Sequence, residues 1–128
     1  MKGLFLDDER NPSDVAWINY PTNITWTVVR TYSEFCSELE NGYDVYSFDH
    51  DIQDFYHVPK GTLRGVSAYG DVYYEEDVSG EHTGLSCLRE LIEFKQLCIG
   101  FHEVEEVYFH TKNPIGLNNM KVEWEASL

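Results

Sequence analysis

Short apolar segments that end in polar residues constrain the fold of this chain more than any other feature. The first, Gly3–Leu6, is continuously apolar and stops at Asp7 and Asp8, which is typical of a central strand buried on both faces. Another segment, "ITWTVVR", is rich in β-branched and aromatic residues, which predicts a second strand. The predicted strands are Gly3–Leu6, Ile24–Arg30, Asp44–Phe48 and Val104–Phe109.

Helical patterns separate most of these strands. We predict helices over Ser33–Asn41, Thr83–Ile99 and Gly116–Ala126, from their apolar spacing and from Gly42 as a stop signal. Alternation of strands and helices predicts a single-domain α/β fold, a mainly parallel sheet of about four strands with flanking helices. Asn11–Asn23 is predicted as a loop with one helical turn. Residues 50–82 are predicted as a long inserted loop, a lid or a hairpin.

Length and charge limit the classes of protein. With 128 residues the chain is long enough for one domain, and its net charge of −14 disfavours binding to duplex DNA or to anionic membranes. No apolar run approaches the length of a membrane span, and no signal peptide is visible. Three cysteines without a CxxC pair favour buried free thiols in a reducing compartment. We therefore expect an intracellular, cytoplasmic protein.

Polar clusters follow three of the four predicted strands. Ligands of open parallel sheets bind outside the carboxyl ends of the strands, so these clusters converge if their strands are neighbours. Arg30, after the second strand, is expected at the rim of such a site. The three clusters are Asp7-Asp8-Glu9-Arg10, Asp49-His50-Asp51 and His110-Thr111-Lys112-Asn113.

Convergent carboxylates predict a cation. Asp7 or Asp8, together with Asp49 and Asp51, would form an oxygen-rich site suited to Mg²⁺ or Mn²⁺. The alternative is that one or two of these acids cap loops or helices. For His50 the sequence leaves three roles open, namely a proton carrier, a metal ligand or a structural group, and the same holds for His110.

The same strand ends carry candidate phosphate ligands. Thr111 could hold a phosphate oxygen, and Lys112 or Arg10 could pair with its charge. A helix that begins at Thr83-Gly84 would offer free N–H groups to an anion, and Thr83 would also serve as its N-cap. The candidate substrate-binding residues are Arg10, Arg30, Thr83, Gly84, Thr111, Lys112 and Asn113.

These motifs resemble two related families. "LFLDDE" followed by "DVYSFD" resembles the start of a response-regulator receiver domain. That resemblance implies a Mg²⁺-binding pair at Asp7 and Asp8, a phosphoryl-acceptor position at Asp49, and Thr111 as the family's Thr/Ser. The chain departs from a working receiver in its short segment after the first strand, its lack of a fifth strand followed by lysine, and its long insertion.

A divergent group, the cyclic-phosphate-processing receiver domain of phages and bacteria, is more similar over the whole chain. The resemblance rests on "LDDERNP", "VVRTYSEF", "SFDHDI", "TGLSCLRELIE" and "HTKNPIGLNNM", which occur in this order. It implies a cytoplasmic protein of bacterial or phage origin, with a small phosphorylated or nucleotide ligand.

Three functions follow as expectations. The first is a metal-dependent phosphoesterase for an RNA 2′,3′-cyclic phosphate end or a cyclic nucleotide, with Asp49, His50 and His110 as catalytic residues. The second is a non-catalytic module that binds a nucleotide or a protein. The third is an acidic phage protein that blocks a host factor through the surface around Glu75, Glu76 and Asp77. The oligomeric state is left open.

Overall fold

A parallel sheet of four strands forms the centre of the computed structural model, which describes residues 1–58, 63–66, 72–74, 78–98 and 100–128. The helices are α1 (Tyr32–Glu38), α2 (Gly84–Leu97) and α3 (Pro114–Ala126), and short 3₁₀ turns cover Pro12–Asp14 and Leu39–Asn41. The strands are β1 (Lys2–Leu6), β2 (Thr25–Val29), β3 (Val45–Phe48), β4 (Asp54–Val58), β5 (Leu63–Val66), β6 (Val72–Tyr74), β7 (Val78–His82) and β8 (Glu106–Phe109).

The strand order of the central sheet is β2–β1–β3–β8, and all its neighbours are parallel. Leu6, the last residue of β1, is in register with Phe48 of β3, and Phe48 is in register with Phe109 of β8. The three polar clusters therefore start side by side at one edge, with the end of β2 beside them. This confirms the predicted α/β fold with a mainly parallel sheet of about four strands.

All three helices pack on one face of this sheet. Strand residues alternate between the faces, so Leu4, Leu6, Tyr46 and Phe48 point to the helices and share one apolar core with them. The helical members of that core include Phe35 of α1, Cys87, Leu88 and Leu91 of α2, and Met120 of α3. This layer fixes where α2 and α3 begin relative to the carboxyl edge of the sheet.

The opposite face is covered by the irregular segment between β1 and β2. The Tyr20 ring packs edge-on against Trp26 and Tyr108, with centroids 5.1 Å apart in both pairs. Its hydroxyl lies 2.6 Å from Ser47 Oγ of β3. A single 3₁₀ turn at Pro12–Asp14 is the only helical element that the structure describes here, as the sequence predicted. Pro12 and Pro21 both lack the N–H that a longer helix would need.

The helix ends follow local capping rules. Thr31 accepts a hydrogen bond from the Glu34 N–H at 3.1 Å, and α1 gives way to a 3₁₀ turn before Gly42, which has φ of 68°. Helix α3 begins at Pro114, two residues earlier than predicted, because proline suits the first helical position and Asn113 caps it. Helix α2 ends at Leu97 rather than at Ile99.

Much of the segment predicted as a long loop, residues 50–82, forms antiparallel strands. β4 pairs with β7 in a register that runs from Asp54 opposite His82, and β5 pairs with β6. Of the two alternatives, a lid or a hairpin, the described residues have hairpin-type pairing. Glu75, Glu76 and Asp77, on which the acidic-surface hypothesis depends, lie outside the described residues.

The cysteines are all free, but their environments differ. Cys87 is buried and Cys36 is half-buried, whereas Cys98 is exposed, so the prediction of three buried thiols is wrong for Cys98. Among the described residues, no helix combines the length and the apolar character that crossing a membrane requires.

Candidate functional site

A polar cleft of about 320 Å³ opens at the carboxyl edge of β1, β3 and β8. It lies where the aligned ends of these strands predict a ligand site in an open parallel sheet. Its lining residues are Asp7, Asp8, Glu9, Arg10, Asp49, Asp51, Gln53, Thr111, Lys112 and Asn113. The structure therefore brings together residues from all three predicted clusters.

Three carboxylates form the floor of the cleft. Asp7, Asp8 and Asp49 each offer an oxygen, and these oxygens all lie within 4.8 Å of one another. The backbone places two of them firmly, because the N–H of Asp7 donates to the carbonyl of Val29 and the N–H of Asp49 donates to that of Leu6, continuing the strand pairing. Asp7 and Asp49 are only 1% and 6% exposed.

The electrostatics of Asp8 and Asp49 fit a bound cation. Burial, and then the charge of Asp7, raise the pKa of Asp49 despite opposing contributions from His110 and Thr111. Burial likewise raises the pKa of Asp8, and neighbouring carboxylates add to this while its own backbone N–H opposes it. Arg10 compensates only part of the negative charge, from 3.9 Å away from Asp49. An oxygen-rich, excessively negative group of this size fits Mg²⁺ or Mn²⁺.

Asp7 differs from its two neighbours. Its burial alone would raise its pKa, but hydrogen bonds from His110 and from the N–H groups of Arg10 and Glu9 outweigh that effect. The pKa of Asp7 is therefore held well below its usual range. Asp7 stays ionised and is the most firmly oriented carboxylate of the three.

A buried hydrogen-bonded chain holds Asp7 from behind. His110 Nε2 lies 3.0 Å from Asp7 Oδ2, its Nδ1 lies 2.7 Å from Ser47 Oγ, and its ring stacks on Phe5 at 4.4 Å. Burial raises the pKa of Tyr20 to about 12, so its hydroxyl keeps its proton and can donate to Ser47. With Asp7 ionised, Nε2–H donates to it, and Nδ1 forms the second bond of the ring with the Ser47 hydroxyl. His110 is fully buried and supports Asp7 rather than facing the cleft.

Arg30 lies beside the cleft but does not line it. Its guanidinium donates to the carbonyls of Asp7 and Arg10, at 2.9 and 2.6 Å, and to Asn11 Oδ1 at 2.7 Å. These bonds fix the turn that presents Asp8 and Arg10. The structure thus gives Arg30 a loop-ordering position instead of the substrate-binding position expected from sequence.

His50 and Asp51 do not occupy the catalytic and metal-binding positions that the sequence predicted for them. The His50 ring lies against Gly116 of α3, where a Cβ would overlap it, and its Nδ1 is 2.8 Å from Asp51 Oδ1. Asp51 is exposed, is outside the group of three carboxylates, and accepts from Asn113 Nδ2 at 3.2 Å. Asp51 lines the cleft, whereas His50 does not line it and contacts Asp51 through its ring.

Thr83 and Gly84 serve to pack α2 against β3. Thr83 caps the helix together with Ser86, and the Gly84 N–H donates to the His50 carbonyl at 2.8 Å. A Cβ at Gly84 would overlap the carbonyl oxygen of Asp49, so only glycine allows this close approach. Neither residue lines the cleft, and the Gly84 N–H is not available to an anion.

The other predicted substrate-binding residues do line the cleft, namely Arg10, Thr111, Lys112 and Asn113. Two of them contact Trp17, for which the sequence predicted no role in the site. Thr111 lowers the pKa of the neighbouring Asp49 carboxyl, and Asn113 both caps α3 and contacts Asp51. Lys112 Nζ lies 4.2 Å from the centroid of the Trp17 ring, and Arg10 Cζ lies 5.4 Å from it. Sequence reasoning assigned no site role to Trp17, Tyr20, Ser47 or Gln53. A tryptophan in a loop bounded by Pro12 and Pro21 was the available signal for Trp17.

A parallel sheet whose carboxyl edge carries an acidic pair after β1, an aspartate after β3 and a threonine after β8 defines a receiver-type α/β domain. The comparison with family models agrees, because the cyclic-phosphate processing receiver domain matches residues 2–125. The chain belongs to this family. No curated protein and no solved structure matches it.

Proposed function

We propose that the protein is a divalent-metal-dependent phosphoesterase that processes a cyclic phosphate, at an RNA 2′,3′-cyclic end or in a cyclic nucleotide. One observation carries the proposal: the carboxylates of Asp7, Asp8 and Asp49 share a cleft with the cations Arg10 and Lys112. Membership in a family associated with cyclic-phosphate processing supports the choice of substrate.

Asp7, Asp8 and Asp49 would hold the metal, which as Mg²⁺ or Mn²⁺ supplies a Lewis acid and an activated water. Arg10 and Lys112 bind the phosphate oxygens above these carboxylates, because they are the cationic side chains among the described residues of the cleft. Thr111 lines the cleft with Asp49 and favours the ionised form of that carboxyl. His110, Ser47 and Tyr20 keep Asp7 in one orientation.

The proposal is tested by a turnover assay. Pure protein with Mg²⁺ or Mn²⁺ is incubated with 2′,3′-cyclic nucleotides and with cyclic dinucleotides, and products are separated by chromatography. Asp49→Asn should lower kcat/KM by more than about a hundredfold, since changes to residues that only support metal ligands already cost ten- to a hundredfold. Asp51→Asn is the matched control, because Asp51 lies in the same wall but outside the three-carboxylate group. Absence of turnover on every substrate, or equal loss in both variants, would contradict the proposal.

A second candidate function is favoured by the positions of the two histidines. His110 is fully buried, His50 packs on α3, and the described residues that line the cleft include no histidine. A cleft without such a proton carrier is also consistent with a receiver-like module that binds a nucleotide and releases it unchanged. That function predicts a nucleotide-dependent rise in melting temperature with no product formed. His50→Ala adds a test, since only a catalytic role at His50 predicts loss of turnover with binding retained.

A further inference from the structure

Arg10 and Lys112, the cations among the described residues that line the cleft, both contact one aromatic ring. The ammonium of Lys112 lies 4.2 Å and the guanidinium carbon of Arg10 lies 5.4 Å from the centroid of Trp17. Both distances fall within the range of cation–π attraction. We propose that Trp17 is the positioning residue of a phosphate-anion subsite and acts by holding Arg10 and Lys112 at the mouth of the cleft. This proposal rests on the proposed function, for which it specifies how the anionic part of the substrate is bound.

The ring is held firmly enough for this role. Trp17 Nε1–H donates to the carbonyl of His110 at 3.0 Å, which ties the ring to the end of β8. Nearby, Val15 is buried, and the Asp14 carboxylate accepts from the Asn11 N–H at 2.8 Å. Arg30 fixes the preceding turn through its bond to the Arg10 carbonyl. The indole is therefore anchored to the sheet on one side and to an ordered loop on the other.

The two cations need such a support. Arg10 and Lys112 are long side chains that lose several rotatable bonds when they bind a ligand. Without a competing contact, the carboxylates below would attract both, and Arg10 already lies 3.4 Å from Asp7 and 3.9 Å from Asp49. The Trp17 ring offers a neutral contact at the mouth of the cleft instead. The Lys112 ammonium and the Arg10 donors other than Nη1, which contacts Asp7, then remain available to an anion before it arrives.

The charge pattern identifies the ligand chemistry as a phosphate oxyanion. A cation pair at the mouth, above a cluster of carboxylates, matches a ligand whose negative oxygens stay outside while a metal-facing oxygen enters. In this arrangement Lys112 and Arg10 bind the ligand, and the indole contacts only these two cations. A nucleobase stacked directly on Trp17 is the competing possibility, and separate titrations with phosphate and with adenosine distinguish the two.

The test measures anion binding without turnover. The dissociation constant for inorganic phosphate, with Mg²⁺ present, is determined by isothermal titration calorimetry. Trp17→Leu should weaken binding about tenfold, because two long side chains must then be ordered by the ligand, and Trp17→Phe should restore most of the affinity by keeping an aromatic face. Trp124→Leu is the matched control, since Trp124 makes the same contact with Lys95, at 5.0 Å, away from the cleft. Lys95→Met removes that contact from the cation side, so the control stands if Trp124→Leu folds poorly.

A double-mutant cycle shows whether Trp17 acts through the cation. If it does, Trp17→Leu combined with Lys112→Met should weaken phosphate binding by clearly less than the product of the two single effects. Multiplicative effects, or unchanged affinity in Trp17→Leu, would overturn the proposal. So would adenosine binding that is lost in Trp17→Leu while phosphate binding is retained, because this would make the ring a base platform. Phosphate binding that depends on Trp17 in a protein without turnover would refute the phosphoesterase activity alone.

Discussion

Replacing Asp49 by Asn should stabilise the metal-free protein while removing its response to metal. The Asp49 carboxylate oxygen lies within 4.8 Å of those of Asp7 and Asp8, and each such pair costs about 3.5 kcal/mol at an effective dielectric constant of about 20. Attraction to Arg10 at 3.9 Å offsets about 4 kcal/mol of the combined repulsion of about 7 kcal/mol. At these distances a net cost of about 3 kcal/mol remains before solvent screening is included.

Asparagine keeps the shape of the side chain and one acceptor. Its Oδ1 can still accept from the His50 N–H, which now donates to Asp49 at 2.9 Å. The expected gain is therefore electrostatic, about 1–2 kcal/mol after solvent screening, which corresponds to a rise in Tm of roughly 5 °C.

Thermal unfolding is followed by circular dichroism, first in EDTA and then in increasing Mg²⁺ or Mn²⁺. Wild-type protein should gain stability with metal as mass action requires, whereas Asp49→Asn should start higher and respond little. Asp51→Asn, which alters an exposed acid paired with His50, should behave like wild type in its metal response. An Asp49→Asn variant that melts below wild type in EDTA would refute the view that the three carboxylates repel one another.

Three further outcomes follow from the same contacts. Ser47→Ala leaves Nδ1 of the buried His110 without its partner at 2.7 Å, so urea unfolding should show a loss of about 1–3 kcal/mol. The ¹⁵N chemical shift of Nδ1 should move while Nε2 keeps its bond to Asp7, and an unaltered Nδ1 shift would refute the bond between Ser47 and His110. Gly84→Ala places a Cβ on the Asp49 carbonyl, so the free energy of unfolding in urea should fall by about 1–3 kcal/mol. The same variant should bind Mn²⁺ more weakly in a metal titration. Unchanged stability would show that α2 can shift freely. The folded pKa of Asp7 is below its ordinary value of 3.8, so its stabilising effect is complete above that value and is lost as the pH falls towards the folded pKa. Asp7→Asn should therefore be less stable than wild type at pH 7, and the difference in melting temperature should narrow below a pH of about 4. Thermal melts across pH test this, and a difference that does not change with pH would contradict the assigned pKa.

The order of residues by itself determined the sheet and the acidic floor of the cleft. Apolar runs that stop at charged residues identify buried strands without knowledge of the fold, and parallel strands end at the same edge. For this reason the sequence alone predicts that Asp7 or Asp8 lies near Asp49, with Thr111 at the same edge. It also predicts Asp51 in this group, which the structure limits to Asp7, Asp8 and Asp49. The N-cap signal at Thr83 likewise gives the start of α2 to within one residue.

Tertiary structure alone decided which neighbouring polar residues face the cleft. Arg30, His50, Thr83 and Gly84 lie next to it along the chain or in space, yet their polar groups are bonded to backbone, to Asp51 or within a helix cap. The direction of a side chain beyond a strand end depends on what packs there, and residue order carries no record of that packing.

Pairings between distant segments were also beyond the reach of the sequence. The contacts of Trp17 with Lys112 and of Tyr20 with Ser47 join a loop after β1 to β3 and to the end of β8, and Ser47 in turn contacts His110. The strands within 50–82 pair across intervening chain in the same way. Short-range periodicity reports which face of an element is apolar, whereas contacts of this kind depend on the three-dimensional path of the whole chain. Residue order thus determines the chemistry at the carboxyl edge, and folding decides which side chains support it from behind and which remain open to a ligand.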